Sequence, residues 1–368
     1  MKLPSFSDLI PEQLAVYERA PDDSILVVGP PGSGKTSMAI WRARLLTGPG
    51  FQRRVALVTR NRLLACVAGQ LAKDNDGANI CTTTMDSLIR RDYYHHFRHG
   101  IPKEKRFDYK WDDILDEYKA AAPEPAYDHM IIDEGQNLPR QFFHWAVRFG
   151  GRAVSVFADE DQTTLGTGTR IADLQDAGFN SVLPLLVNHR NTEEIVDVID
   201  HFHTDRVVPR GMPSRGRCGE LPCMMAVNSW NALADAVAAR WTNRRETIGV
   251  IVYRKHDVHT VAGLLRKRLS TARVDAYTSD LRKGAEQAIH MREDGITILS
   301  SESAIGLEFD TLYLQDLWRN LPVEQAIQRR RLYMLCARAR DNLILVNGPK
   351  ALTAPQLTSL PPTTTLVR

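Results

Sequence analysis

Residues 24–46 read SILVVGPPGSGKTSMAIWRARLL. A short β-branched run ends in glycine, a glycine- and proline-rich turn follows, and an apolar-periodic segment with helical spacing begins at Thr36. The turn, GPPGSGKT at 29–36, fits the G-x-x-x-x-G-K-[ST] spacing of a phosphate-binding loop in its required strand-to-helix context. Its glycines let the backbone wrap a phosphate, and the amides at the helix start offer unpaired donors at the positive end of the helix dipole. The candidate phosphate ligands are therefore Gly29, Pro30, Pro31, Gly32, Ser33, Gly34, Lys35, Thr36 and Ser37. Lys35 would neutralise the β- and γ-phosphates of ATP, and the Thr36 hydroxyl would ligate Mg²⁺.

Outward from this unit the same alternation recurs. Strand-like runs lie at 54–59, 78–84, 129–133 and 153–159, with helical segments such as RLLACVAGQLA at 62–72 between them. A second series runs at 248–253, 296–301, 311–317 and 342–348. Strand and helix in alternation predict an α/β fold with parallel sheets covered by helices on both faces. The stretch VVPRGMPSRGRCGELP at 207–222 reads as a loop. Two domains are expected, 1–178 and 179–368, with residues 90–126 as a small insertion in the first.

The chain has 368 residues, 43% hydrophobic and 25% charged, with a net charge of +3. That mildly basic balance permits a nucleic-acid partner without requiring one. No run of about 18 apolar residues predicts a membrane span, and Pro4 and Asp8 interrupt the N-terminus where a secretory signal would be apolar, so a cytoplasmic location is expected. Five scattered cysteines, Cys66, Cys81, Cys218, Cys223 and Cys336, suit reduced thiols better than a disulfide framework.

The run YDHMIIDEGQN at 127–137 ends an apolar strand on two adjacent carboxylates. Such acids repel, and a fold that buries them needs a cation for them to hold. Behind a phosphate loop, Asp133 falls where it can hold Mg²⁺, and Glu134 where it can deprotonate an attacking water.

With DEGQNLP following the phosphate loop, the chain resembles superfamily 1 helicases of the UvrD/Rep/PcrA type, and further matches run in family order from about residue 9 to 346. LIPEQLAVYE at 9–18 is similar to the adenine-reading motif, which implies that Gln13 reads the base. LLVNHRNTEEI at 185–195 implies His189 stacking on adenine and Arg190 on the γ-phosphate. SAIGLEFDTLYL at 303–314 implies Glu308 at the ribose, and LYMLCARARDNLIL at 332–345 implies Arg338 as a second γ-phosphate arginine. VFADEDQTTL at 156–165 makes Gln162 the γ-phosphate sensor, while VALVTRNRLL at 55–64 and TTTMDSL at 82–88 imply strand contacts by Thr59, Arg60, Asn61 and Thr84.

The resemblance implies two tandem RecA-like domains that hydrolyse Mg-ATP in the cleft between them, coupled to single-stranded DNA, with 3′ to 5′ movement and RNA a weaker candidate. The chain departs from the family in several places. TTLGTGTR at 163–170 lacks the aromatic platforms usual after the sensor glutamine, His189 stands for tyrosine, Asp86 for histidine, and there is no room for the large accessory domains. The alternative is an ATP-gated subunit that recruits a nuclease or other effector without unwinding by itself.

Overall fold

A computed structural model describes residues 3–73, 80–105, 107–163, 168–203, 207–217, 220–291 and 293–368. Among these the chain forms two compact units, Leu3–Gly29 with Gly34–Leu186, and Val187–Arg368 with Pro30–Ser33.

In the first unit six strands, β1 (Ile25–Val28), β2 (Val55–Thr59), β3 (Ile80–Thr84), β4 (Tyr127–Ile132), β5 (Gly151–Ala158) and β6 (Val182–Pro184), form one sheet in the order β3-β2-β4-β5-β1-β6. Every pairing is parallel. The central strands are buried along their length, which explains why they read as continuous apolar runs. Residues alternate between the two faces. Met130, Ile132, Val154 and Val156 face a core shared with Phe142, Phe143 and Trp145.

Ser155, between Val154 and Val156, points to the opposite face. There its hydroxyl accepts from Arg42 Nε at 3.0 Å, which places helix α2 (Lys35–Thr47) on that side. Arg42 has no exposed surface, and its remaining donors bind the carbonyls of Val16, Arg19 and Ala20 at the end of helix α1 (Pro11–Tyr17). His129 completes the buried group, with Nε2 2.8 Å from Ser155 Oγ and Nδ1 2.8 Å from Pro21 O.

The expected insertion is folded into this domain's core. Helix α3 (Arg62–Lys73) follows β2, and helix α4 (Met85–Phe97) starts directly after β3. A short antiparallel hairpin, Lys103–Lys105 with Asp108–Tyr109, leads to helix α5 (Trp111–Ala121). Leu88, Ile89, Tyr93, Trp111, Ile114 and Tyr118 join the core cluster of β4 and β5. The Tyr118 hydroxyl donates to Asp92 and the Tyr93 hydroxyl to Glu117, each at 2.5 Å, and that of Tyr109 donates to Asp86. These aromatics bind the segment into the domain.

The second unit repeats the plan. Strands β7 (Cys223–Ala226), β8 (Thr247–Val252), β9 (Val274–Tyr277), β10 (Gly295–Ser300), β11 (Phe309–Leu314) and β12 (Ala339–Asn347) form a parallel sheet in the order β7-β12-β11-β8-β10-β9. One core cluster packs Leu233, Val237 and Trp241 of the helix Trp230–Asn243, and Val258, Val261 and Leu265 of the helix Lys255–Arg268, against Ile248, Val250, Ile296 and Ile298. The fold is thus α/β, with two tandem RecA-like domains. The chain passes from one unit to the next after Leu186, and β6, beyond the division expected at 178, hydrogen-bonds to β1.

The short edge strands β6, β7 and β9 escape the sequence pattern because, at three or four residues and only partly buried, they do not read as apolar runs. Residues 207–217 contain only the two-residue strand Met212–Pro213 and are held by ion pairs from Arg210, Arg215 and Arg217. Cys66, Cys81, Cys223 and Cys336 are free thiols, while Cys218 lies outside the described residues. No described helix is long and apolar enough to cross a membrane.

Candidate active site

The phosphate loop leaves the end of β1 and enters α2. Gly34 caps the helix at φ +89°, and Gly32 takes φ +78°, conformations that residues with a Cβ rarely hold. Lys35 is nearly buried, and its ammonium donates to Gly29 O at 2.6 Å and lies 3.8 Å from Asp159 Oδ2. Among the described residues the buried hydroxyl of Ser33 has no partner, so the loop carries a spare donor as well as the first-turn amides of α2. Gln13, on α1, accepts from Ile10 N at 3.3 Å through Oε1, and its Nε2 packs against Gly34, 2.8 Å from where a Cβ would stand. The adenine reader expected from sequence thus touches the phosphate loop.

The two carboxylates emerge at the end of β4. Asp133 extends the sheet by donating its N–H to Val58 O at 2.9 Å, and its carboxylate accepts from the Thr36 hydroxyl at 2.8 Å across 97 residues of sequence. Burial, and then the neighbouring Glu134 charge, raise the Asp133 carboxyl well above the usual carboxylate range. Glu134 is held at φ +57°, a left-handed conformation for a residue that is not glycine. The next residue must be small, because a Cβ on Gly135 would come within 2.7 Å of Val156 Cγ1.

Gln136 Nε2 donates to Glu134 Oε2 at 2.7 Å, and Gln136 Oε1 accepts from Asp159 N at 3.0 Å. Asp159 in turn accepts from Gln162 Nε2 at 2.6 Å, and burial raises its carboxyl to about 6 despite the opposing pull of Lys35. Lys35, Thr36, Asp133, Glu134 and Gln162 therefore meet at the C-terminal ends of β1, β4 and β5.

The second domain holds its candidates by themselves. Arg190 Nε donates to Glu308 Oε2 at 2.6 Å, so the two expected nucleotide ligands pair with each other. Burial would raise the Glu308 carboxyl, but the Arg190 guanidinium brings it below its ordinary value. Arg338 is 1% exposed, and it donates from Nε to Met334 O at 2.9 Å and from Nη1 to Leu307 O at 3.4 Å. His189 Nδ1 lies 3.1 Å from Ser214 Oγ.

The residues expected to touch a nucleic-acid strand lie at or just after the ends of β2 and β3, where they have local work. The Thr59 hydroxyl is buried and donates to Asn61 O at 3.0 Å, and Asn61 Oδ1 accepts from Leu64 N at the start of α3. Arg60 donates to Asn137 O at 2.6 Å, and Thr84 caps α4 by accepting from Ser87 N at 3.3 Å.

Three solved helicase structures resemble this chain. The C-terminal domain of a possible DNA helicase from Lactobacillus plantarum WCFS1 matches over 49% of this chain and 98% of its own, at 21% identity and a TM-score of 0.35. The PRRSV helicase matches over 95% of this chain and 56% of its own, at 14% identity and a TM-score of 0.43. Arterivirus nonstructural protein 10, a helicase, matches over 96% and 64%, at 14% identity and a TM-score of 0.44. This chain therefore spans about 56% and 64% of the two viral proteins' lengths. No protein-family model matches, and no curated protein does.

The donors suit Mg²⁺ carried in with a nucleotide. Thr36 and Asp133 offer hard oxygens side by side, and a cation there would offset the burial and the neighbouring Glu134 charge that hold the Asp133 carboxyl up. Among the described residues no three His, Cys, Asp or Glu side chains gather as a protein-only metal cage. A Mg²⁺ ion bound through one carboxylate, one hydroxyl and substrate phosphates needs none. Gln136 and Asp159 were missed as site residues by the sequence reading. Their signals were present, Gln136 two positions after Glu134 and Asp159 three before Gln162, but only the fold shows that they touch.

Proposed function

We propose that the chain is the motor core of an ATP-dependent helicase or translocase acting on single-stranded DNA. The observation that supports it most is the Thr36–Asp133 hydrogen bond of 2.8 Å, which joins the start of the phosphate-loop helix to the carboxylate pair beside Lys35. In this reading the loop amides and Lys35 hold the β- and γ-phosphates, Thr36 and Asp133 hold Mg²⁺, and Glu134 takes the proton of the attacking water. Mg²⁺, when bound, neutralises charge developing on the phosphate oxygens. Gln13 and His189 address the base, Glu308 the ribose, and Arg190 and Arg338 the γ-phosphate, as the resemblance implies. Movement from 3′ to 5′ rests on the same resemblance.

ATP turnover with and without single-stranded DNA tests this. The wild type should hydrolyse ATP faster with DNA, and Lys35→Ala should abolish turnover; a Lys35→Ala protein as fast as the wild type refutes the site.

One sequence observation favours a second reading, an ATP-gated subunit that recruits a nuclease or other effector. Residues 163–170, TTLGTGTR, offer no ring for stacking, an interaction that contributes about 1–3 kcal/mol per base. Strand displacement by the purified chain alone would reject that reading.

A further inference from the structure

Glu134 occupies a backbone conformation that a side-chain-bearing residue keeps only where its surroundings over-determine it. Beside its carboxylate lies the side chain of Gln136, which is wholly buried. Its orientation is fixed by chemistry. Asp159 N–H can only donate, so the amide edge 3.0 Å from it is the oxygen, and the edge 2.7 Å from Glu134 Oε2 is the NH₂.

We propose that Gln136 is the positioning residue of this site: it clamps one oxygen of the Glu134 carboxylate, leaves the other to accept a proton from water, and fastens that carboxylate to the segment bearing Asp159 and Gln162. The inference rests on the reading of Glu134 as the base. Because Asp159 also receives Gln162 at 2.6 Å and stands 3.8 Å from Lys35, the amide ties the base to the two groups that meet the γ-phosphate in that reading. The turn itself does not depend on the amide. Asn137 N donates to Glu134 O, Thr169 N to Gln136 O, and the Thr169 hydroxyl to Leu138 O at 2.6 Å. A change at the Gln136 side chain should therefore disturb the carboxylate while the backbone stays in place.

Two variants separate positioning from mere satisfaction of Asp159 N–H. Gln136→Glu keeps an acceptor for that N–H but cannot donate to Glu134 when ionised. Gln136→Leu removes both bonds. Single-turnover ATP hydrolysis, binding of a non-hydrolysable ATP analogue and thermal melting are measured for both, beside Glu134→Gln. Both Gln136 variants should hydrolyse on the order of 100-fold more slowly than the wild type, the effect of a small misplacement of a reacting group, while analogue affinity holds. Wild-type hydrolysis by Gln136→Leu overturns the proposal, as does a loss of affinity and melting temperature that accounts for the slower rate. If Glu134→Gln is also as fast as the wild type, the reading of Glu134 itself fails. If only the Gln136 variants are fast, that reading stands and the clamp alone is refuted.

Discussion

In the first domain the polar and charged groups of the candidate site bind one another: Thr36 donates to Asp133, Lys35 lies beside Asp159, and Gln136 joins Glu134 to the Asp159 backbone. In the second domain Arg190 gives its Nε to Glu308, and Arg338 gives its donors to the carbonyls of Met334 and Leu307. The first set is carboxylate-rich and under electrostatic strain, with two acids held above their ordinary range. The second is cationic and already satisfied. In the proposed function a ligand phosphate with its cation would relieve the first set, whereas each arginine would have to exchange an existing partner for the phosphate. On that proposal exchange yields little net energy in the ground state, and the arginines would act where negative charge grows, in the transition state.

Among tests of this contrast, the largest effect is expected from the arginines. Arg190→Ala and Arg338→Ala should each lower ATP hydrolysis by about 1000-fold with analogue binding largely kept, as read from single-turnover rates and equilibrium titration. The two should differ in stability. Arg338→Ala strands buried carbonyls at a cost of about 1–3 kcal/mol, whereas Arg190 and Glu308 keep some solvent access, their side chains being 14% and 19% exposed. Equal hydrolysis by wild type and both variants would erase the contrast between the domains.

A second test uses pH. The Asp159 carboxyl is held at about 6, above its ordinary 3.8, so its contribution favours the folded state fully below pH 3.8 and is lost as pH rises through 6. Asp159→Asn should therefore stabilise the empty protein by roughly 3 kcal/mol at pH 8 and by little at pH 4, as measured by denaturant unfolding. Glu308 has the opposite sign. Its carboxyl is held below its ordinary 4.5, so its contribution is present above that value and lost as pH falls. Glu308→Gln should cost about 1 kcal/mol at pH 7 and progressively less below pH 4.5. Parallel pH profiles for the two variants would contradict the difference drawn between the domains.

The sequence by itself determined the phosphate loop, the carboxylate pair and the parallel sheets. Each is a local matter: a loop spacing fixed by where backbone amides can reach a phosphate, and strands whose burial on both faces leaves them continuously apolar. The middle strands β1, β2, β4, β5, β8, β10, β11 and β12 were legible for that reason, and the short edge strands β6, β7 and β9 were not. Only the tertiary structure decided what joins these parts. Asp159 and Gln136 are 23 residues apart, and Arg42 and Ser155 are 113 apart. No periodicity in a chain reports a hydrogen bond across such distances, because the bond exists only once the sheet has brought neighbouring strand ends together. The same holds for residues 90–126, whose aromatics gave no sign of where they would pack until β4 and β5 offered them a face.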